Sequence, residues 1–331
     1  MRAMVLDEYG PAENLSLSEV PPPALRSRSD VRVGVAAAAI NPVDWKIRSG
    51  EQRGMIRLTL PKVLGFDFAG TVLEVGAEVS GLQAGDPVLG NAELYGPGSY
   101  AEQLVVDARN VVRRPPELPV AEAAALPLAG LTAYQCLLPF LEQRPGARVF
   151  VQAGGGGVGH LAIQIAKRFG AHVITTASDR TRGLVERLGA DQVIDYRTQK
   201  WWKIVEDADL VLEALGGPHR DRALRVVRRG GRVASINSDV IPNTRRFGPL
   251  LGVAASGLGI ASFVVRGRLR GLDASTVVRR MDRAQLATLA GWAAEGGLEV
   301  VIDRTFGLEN LAEAHRYGET GRIQGKVVVT V

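Results

Sequence analysis

The sequence predicts an α/β chain: a doubly wound parallel sheet joined to a smaller, β-rich unit. Three observations carry this. From Ala147 onward, short apolar runs alternate with segments of helical period, and strands apolar on both faces belong to parallel sheets covered by helices on both sides. Before Arg113, short β-like runs are broken at close intervals by Gly and Pro, the pattern of a compact antiparallel unit. Between the two textures, VQAGGGGVGHLAIQIAKRFG (151–170) sets four consecutive glycines between an apolar strand and an amphipathic helix.

The early segments MRAMVLDEY, LSLSEVPPP, DVRVGVAAAAI, FDFAGTVLEVG, GDPVLG and SYAEQLVVD read as strands. After RRPPELP, AEAAALPLAGLTAYQCLLPFL is helical in composition. ARVFVQA is then a strand and VGHLAIQIAKRFG a helix, whose Leu161, Ala162, Ile163, Ile165 and Ala166 form an apolar stripe against Gln164, Lys167 and Arg168. AHVITTAS (strand), RTRGLVERLG (helix), DQVIDY and ADLVLEAL (strands), HRDRALRVVRR (helix) and GRVASI (strand) continue the alternation. The tail reads helix, strand, helix, strand through AQLATLAGWAAEGG, LEVVIDRTF, LENLAEAHRYGETG and GKVVVTV. It either extends the parallel sheet or returns to the first unit.

With 331 residues, 46% hydrophobic and 23% charged, the chain can bury the cores of two ordinary domains. Its 40 Lys+Arg against 35 Asp+Glu are scattered and not interleaved with aromatics, which argues against a nucleic-acid partner. The one cysteine, Cys136, rules out an internal disulfide and reads as inert packing, and with no signal-like start the expected location is cytoplasmic. Residues 247–265 form an uncharged stretch flanked by Arg245, Arg246, Arg266 and Arg268 that is long enough to cross a bilayer. Its glycines, its proline and its place among sheet segments favour a buried wall or a subunit contact, with association at a membrane surface as the alternative, so no membrane span is expected.

Gly154, Gly156 and Gly159 fit G-x-G-x-x-G after a strand and at the start of a helix, within a βαβ unit. Gly154, Gly155, Gly156, Gly157, Val158 and Gly159 therefore read as a loop whose bare N–H groups meet a pyrophosphate at the positive end of a helix. The next strand ends in Thr176, Ala177 and Ser178 with no carboxylate for a ribose 2′-hydroxyl, while Arg180 and Arg182 can pair with a 2′-phosphate. This favours NADPH over NADH. Asp179 is either a ribose acceptor or the cap of the following helix. Tyr196 packs near the adenine end or is a half-buried strand aromatic.

The chain resembles the zinc-independent quinone oxidoreductase and enoyl reductase branch of the medium-chain dehydrogenase/reductase superfamily. The resemblance rests on NPVDWKIRSG (41–50), LGFDFAGTVLEVG (64–76), GDPVLG (85–90), GSYAEQLVV (98–106), LPLAGLTAYQCL (126–137), AGGGGVGHLAIQIAK (153–167), LGADQVIDYR (188–197) and GKVVV (325–329). It implies a GroES-like catalytic domain over 1–124, a Rossmann domain over 125–267, a segment 268–331 that returns to the catalytic domain, and a homodimer. Zinc members carry a Cys, a His and a further Cys or acid around one metal; here the matching positions read Ile40-Asn41 and Gly65-Phe66-Asp67, which offer no imidazole or thiolate.

Without a Lewis acid to hold an alkoxide, reduction of a conjugated C=C is favoured over alcohol oxidation, since such a bond accepts hydride at its β-carbon and delocalises the charge onto a carbonyl. The expected substrate is small, hydrophobic and conjugated: a quinone, an enone or a biosynthetic enoyl or polyene intermediate. By resemblance, Asn41 lies near the nicotinamide ribose or substrate carbonyl, Asp44 in a polar network beside it, and Thr132, Leu215 and Val264 against the cofactor. Enoyl-thioester reductases often carry a tyrosine donor shortly after the NPxD motif; SGEQRGMIRL has none, which leaves Arg53, solvent, Tyr95 or Tyr100. Asn41, Asp44, Arg53 and Tyr100 are thus the catalytic candidates. His160, His172, His219 and His315 form no triad pattern. A reductive cyclase using the same hydride transfer and a catalytically silent NADPH-binding protein are the competing readings.

Overall fold

The structure, a computed structural model, describes residues 1–331. The chain opens with β1 (Arg2–Leu6), β2 (Leu15–Glu19), β3 (Asp30–Ile40), α1 (Pro42–Arg48), β4 (Lys62–Val63), β5 (Asp67–Val75), β6 (Pro87–Asn91), β7 (Gln103–Asp107), β8 (Val111–Arg113), α2 (Val120–Ala125) and α3 (Pro127–Leu141). An alternating stretch follows: β9 (Arg148–Val151), α4 (Gly159–Arg168), β10 (His172–Ala177), α5 (Asp179–Arg187), β11 (Gln192–Asp195), β12 (Ala208–Glu213), α6 (Pro218–Val226), β13 (Val227–Ser235), α7 (Val240–Phe247), α8 (Pro249–Leu269) and β14 (Asp273–Thr276). The chain finishes with α9 (Arg283–Ala294), β15 (Ile302–Gly307), α10 (Leu311–Glu319) and β16 (Lys326–Thr330).

Two compact units result, Met1–Leu131 with Arg280–Val331, and Thr132–Arg279. The first unit holds a three-stranded sheet ordered β2-β1-β4 and a seven-stranded sheet ordered β15-β16-β3-β5-β6-β8, with β7 paired on β3. Pairing is antiparallel except between β15 and β16. The long strand β3 ends in Ala37, Ala38, Ala39 and Ile40, all buried, and the alanine-rich α2 lies against it; small side chains on both surfaces permit that approach. The tail strand β16 sits between β15 and β3, with Val327 opposite Ile40.

The second unit is one parallel sheet ordered β11-β10-β9-β12-β13-β14. In this sheet's own sequence the order is third, second, first, fourth, fifth, sixth, the doubly wound arrangement whose switch point lies between β9 and β12, next to the glycine loop. Phe150, Ile174, Val211 and Val233 fill its core, and Trp201 packs on Phe150 with ring centroids 5.0 Å apart. Each such fully buried aliphatic stabilises the unit by about 1.5–3 kcal/mol.

Three features depart from expectation. Val227, Arg228 and Arg229 are strand where HRDRALRVVRR read as helix, because the β-branched pair Val226-Val227 and Gly230 at φ +76° stop the helix; β13 pairs from Val227 with a register irregularity. The span 268–279 does not return to the first unit: β14 pairs in parallel with β13 as the sixth strand, and re-entry comes at Arg280. The uncharged stretch 247–265 is not a buried wall. It lies largely in α8, which buries Gly252, Ser256, Phe263 and Gly267 and leaves most of its remaining surface exposed. This one helix is long and apolar enough to cross a membrane by length and composition.

Candidate functional site

In the second unit the glycine loop is shaped by collisions that only glycine avoids. A Cβ on Gly154 would lie 2.1 Å from Thr175 Oγ1, one on Gly155 2.7 Å from Thr181 Cβ, and one on Gly159 2.2 Å from the Ala153 carbonyl oxygen. These three glycines let α4 and α5 close onto the end of β9. Gly156 differs, since a Cβ there would meet only the Ala153 oxygen, at 3.3 Å. Its openness leaves the main chain there approachable from outside. The N–H groups of Gly154 and Gly156 donate to the Thr176 and Ala153 carbonyls, whereas those of Gly155, Gly157 and Val158 find no acceptor within the protein. Unpartnered N–H groups at the N-terminus of α4 suit the pyrophosphate of a dinucleotide.

Beyond β10, Ser178 rather than Asp179 is the N-cap of α5, its N–H donating to Thr181 Oγ1 at 3.1 Å, so Asp179 occupies the first helical turn. Arg180 is exposed, and Arg182 reaches Glu186 across one turn at 3.3 Å. Tyr196 is 55% exposed just past the end of β11, so it is not a half-buried strand aromatic. Leu215 is also exposed, Val264 partly buried, and Thr132 buried in α3. The turn presenting Leu215 is fixed by Glu213, a residue the sequence did not single out. Its buried carboxylate accepts from Leu215 N–H at 2.8 Å, Gly216 N–H at 2.5 Å and Ser235 Oγ at 2.6 Å. A lone acid ending an apolar strand before Gly-Gly-Pro was the available signal.

In the first unit Asn41 caps α1. Its N–H donates to Asp44 Oδ2 at 2.6 Å, and its Nδ2 donates to Asp67 Oδ2 at 2.8 Å. Asp67 further accepts from Asn91 Nδ2 at 2.8 Å and Leu128 N–H at 3.0 Å. Lys326 Nζ donates to the Ile40 carbonyl at 3.0 Å and to Asn41 Oδ1, and lies 3.8 Å from Asp67. All five side chains are buried. Asp67, Asn91 and Lys326 were missing from the sequence-derived candidates, and a lysine directly before the apolar strand VVV was the only clue to Lys326.

Burial and, secondarily, the Asp67 charge push the Asp44 carboxyl up to about 7, against the opposing hydrogen bond from Asn41 N–H. Burial lowers the Lys326 ammonium, against the pull of Asp67 and Asp44. Tyr100 is fully buried beside the Asp44 carboxyl, and burial followed by the charge of Asp44 raises its hydroxyl well above the ordinary value. Asp44 Oδ1 and Tyr100 OH are both buried, with no polar partner besides one another. Gly65, at φ +101°, makes room for this tyrosine, because a Cβ there would lie 2.9 Å from its ring and 2.4 Å from Ser99 Oγ. Asp44 also lines a concavity with Ile47, Lys62, Leu64, Phe66 and Leu94.

Asn41, Asp44 and Tyr100 therefore come together. Arg53 is exposed with no side-chain bond to them, and Tyr95 is 67% exposed. His160 is buried with Nδ1 3.0 Å from the Gly156 carbonyl oxygen, a packing role. His315 is buried under Arg48 and the edge of Tyr100, and burial holds its imidazole down at about 3. Burial pushes the Cys136 thiol up to about 12, consistent with an inert core residue.

Two family models match the chain: an alcohol dehydrogenase GroES-like domain over residues 27–116 and a zinc-binding dehydrogenase domain over residues 188–329. The 2-methylene-furan-3-one reductase of Solanum lycopersicum is 35% identical, over 99% of this chain and 79% of its own length. The solved quinone oxidoreductase from Coxiella burnetii superposes with a TM-score of 0.88 at 31% identity, covering 100% of this chain and 99% of that one. The Escherichia coli quinone oxidoreductase complexed with NADPH does so with a TM-score of 0.82 at 25% identity, covering 100% of both. Taken with the glycine cradle and the strand order, these matches show that the chain belongs to the medium-chain dehydrogenase/reductase superfamily, in its zinc-independent quinone oxidoreductase branch, and is an oxidoreductase of a nicotinamide-dinucleotide-binding family.

Proposed function

We propose that this chain reduces conjugated carbon–carbon double bonds of small hydrophobic enones or quinones with NADPH, without a metal ion and as a homodimer. The observation that carries the reading is the Asn41–Asp44–Asp67–Lys326 cluster, which stands where zinc members keep their ligands. Asp67, the one acid in the Gly65-Phe66-Asp67 motif, is already engaged by two amides, a backbone N–H and an ammonium, and no thiolate or imidazole joins it. That donor set suits a fixed polar floor and not a tetrahedral N/S metal site.

Bound nicotinamide supplies hydride to the β-carbon. The chain's own task is to orient both partners and manage the proton. The N–H groups of Gly155, Gly157 and Val158 hold the pyrophosphate, and Arg180 and Arg182 favour the 2′-phosphate. Asp44, buried at the wall of a concavity and with its carboxyl pushed up to about 7, gives its proton to the enolate that follows reduction; Tyr100 lies beside it as the polar group that steadies the carboxylate left behind. The test is NADPH oxidation across a panel of enones and quinones with 4-deuterated cofactor. One new C–D bond in a product of unchanged ring count supports the reading. Tight NADPH binding without turnover, or a new ring, defeats it.

A further inference from the structure

We propose that the outward face of α8 docks on an anionic lipid surface. The helix is turned inside out relative to an ordinary surface helix. Gly252, Ser256, Phe263 and Gly267 pin its inner line, with Asn243 Nδ2 donating to Ser256 Oγ at 2.9 Å and the Arg220 guanidinium 5.5 Å from the Phe263 ring centre. On the opposite side Leu250, Leu251, Leu258 and Leu269 are 79%, 68%, 73% and 82% exposed. At the helix's 1.5 Å rise per residue this is an apolar strip about 30 Å long, more than a monomer in water ordinarily shows.

Charge decides among the possible occupants. Between residues 240 and 272 there are five arginines, Arg245, Arg246, Arg266, Arg268 and Arg270, all exposed, and no Asp or Glu; Asp239 and Asp273, which flank this span, are paired with Arg220 and Arg232. They gather at the two ends of the strip. A second copy laid along it antiparallel would set Arg245 and Arg246 against Arg266, Arg268 and Arg270; laid parallel, it would set each cluster against itself. Either pairing sets like charges together, since the neighbouring carboxylates, Asp221, Asp239 and Asp273, are already held by Arg266 at 2.8 Å, Arg220 at 2.9 Å and Arg232 at 3.1 Å. An anionic headgroup layer meets both ends with the opposite sign while the leucines enter the acyl boundary. Insertion across the bilayer conflicts with topology, because the α7–α8 segment links β13 to β14, adjacent parallel strands of one sheet. The helix lies in the interface plane.

The experiment is co-sedimentation of the whole protein with vesicles of phosphatidylglycerol and phosphatidylcholine in equal parts, against vesicles of phosphatidylcholine alone. The protein pellets with the first and not the second, and added salt releases it. Leu250→Gln with Leu251→Gln and Leu258→Gln weakens vesicle binding about tenfold or more, with the thermal midpoint and the mass by light scattering unchanged. Arg268→Gln weakens it about fivefold. In the unmutated protein, anionic vesicles slow amide exchange across residues 249–269, a readout independent of any variant. No binding by the parent protein, equal binding to both vesicle types, or full binding by the triple glutamine variant overturns the proposal. So does loss of a dimer in that variant, which assigns the face to a second copy.

Discussion

Replacing Asp44 by Asn is the sharpest test of the buried cluster. The carboxyl is pushed from 3.8 to about 7 in the folded protein, mainly by burial. A raised carboxyl pKa means that the native state holds a proton which the unfolded chain has released, so this group's contribution to stability is lost as pH rises from 3.8 through 7. At about 1.4 kcal/mol per pH unit the penalty is about 2 kcal/mol at pH 5 and levels off at about 4 kcal/mol above pH 7. The amide cannot ionise and still presents an oxygen to Asn41 N–H. The variant therefore gains unfolding free energy relative to the parent protein as pH rises, by about 2–3 kcal/mol between pH 5 and 8, in urea melts followed at both values. Its kcat falls about 10²–10⁴-fold, because the proton donor is gone, while NADPH binding measured by fluorescence is unchanged. In the parent protein the rate falls above pH 7 as the acid ionises. A stability difference that is flat between pH 5 and 8 refutes the reasoning, since Asp44 would then carry no proton near neutrality.

Gly156→Ala and Gly159→Ala separate ligand space from packing space. The first keeps the melting temperature and weakens dinucleotide binding at least about tenfold by calorimetry, whereas the second, with its Cβ 2.2 Å from the Ala153 oxygen, loses about 1–3 kcal/mol of stability on denaturant unfolding. Arg180→Ala with Arg182→Ala raises the Kd for NADPH about 10–100-fold and leaves that for NADH within about twofold, in side-by-side titrations. Lys326→Met leaves Asp67 a buried carboxylate without its cation and costs about 3–5 kcal/mol, seen as a lowered denaturant midpoint. Cys136, buried with its thiol pushed up to about 12, resists iodoacetamide in the native protein at pH 8 and reacts once the chain is unfolded, as read by mass spectrometry.

The parallel sheet was legible because its signals are local. Each strand is a short run apolar on both faces, each helix carries its own stripe, and the glycine loop joins two neighbours in sequence, so pattern alone places β9, α4, β10, α5, β11 and β12. Asn41 and Asp44 were visible for the same reason, being three residues apart at a turn. Lys326 and Asp67 were not, because what brings them to Asn41 is the register of β16 and β5 on β3, and strand register is a tertiary property that spacing does not report. The fate of 247–265 was hidden differently. Composition records how apolar a helix is but not which side has company, and only the burial of Gly252, Ser256, Phe263 and Gly267 shows that one line of α8 meets the protein. The Val226–Val227 junction failed because helical period and β-branched content compete there, and Gly230 decides.

The position of β16, wedged between β15 and β3, has a consequence for synthesis. Ile40 waits for Lys326, 286 positions later, before the larger sheet of the first unit can zip shut. At about 5–20 residues per second on the ribosome, that interval is about 15–60 s, during which residues 37–40 of β3 lack their neighbour while β7 already covers residues 30–34 of the same edge. The parallel unit suffers no such delay, since residues 132–279 are contiguous and emerge together. The parallel unit can therefore close on its own, whereas the larger sheet of the first unit is complete only once β16 reaches residues 37–40 of β3.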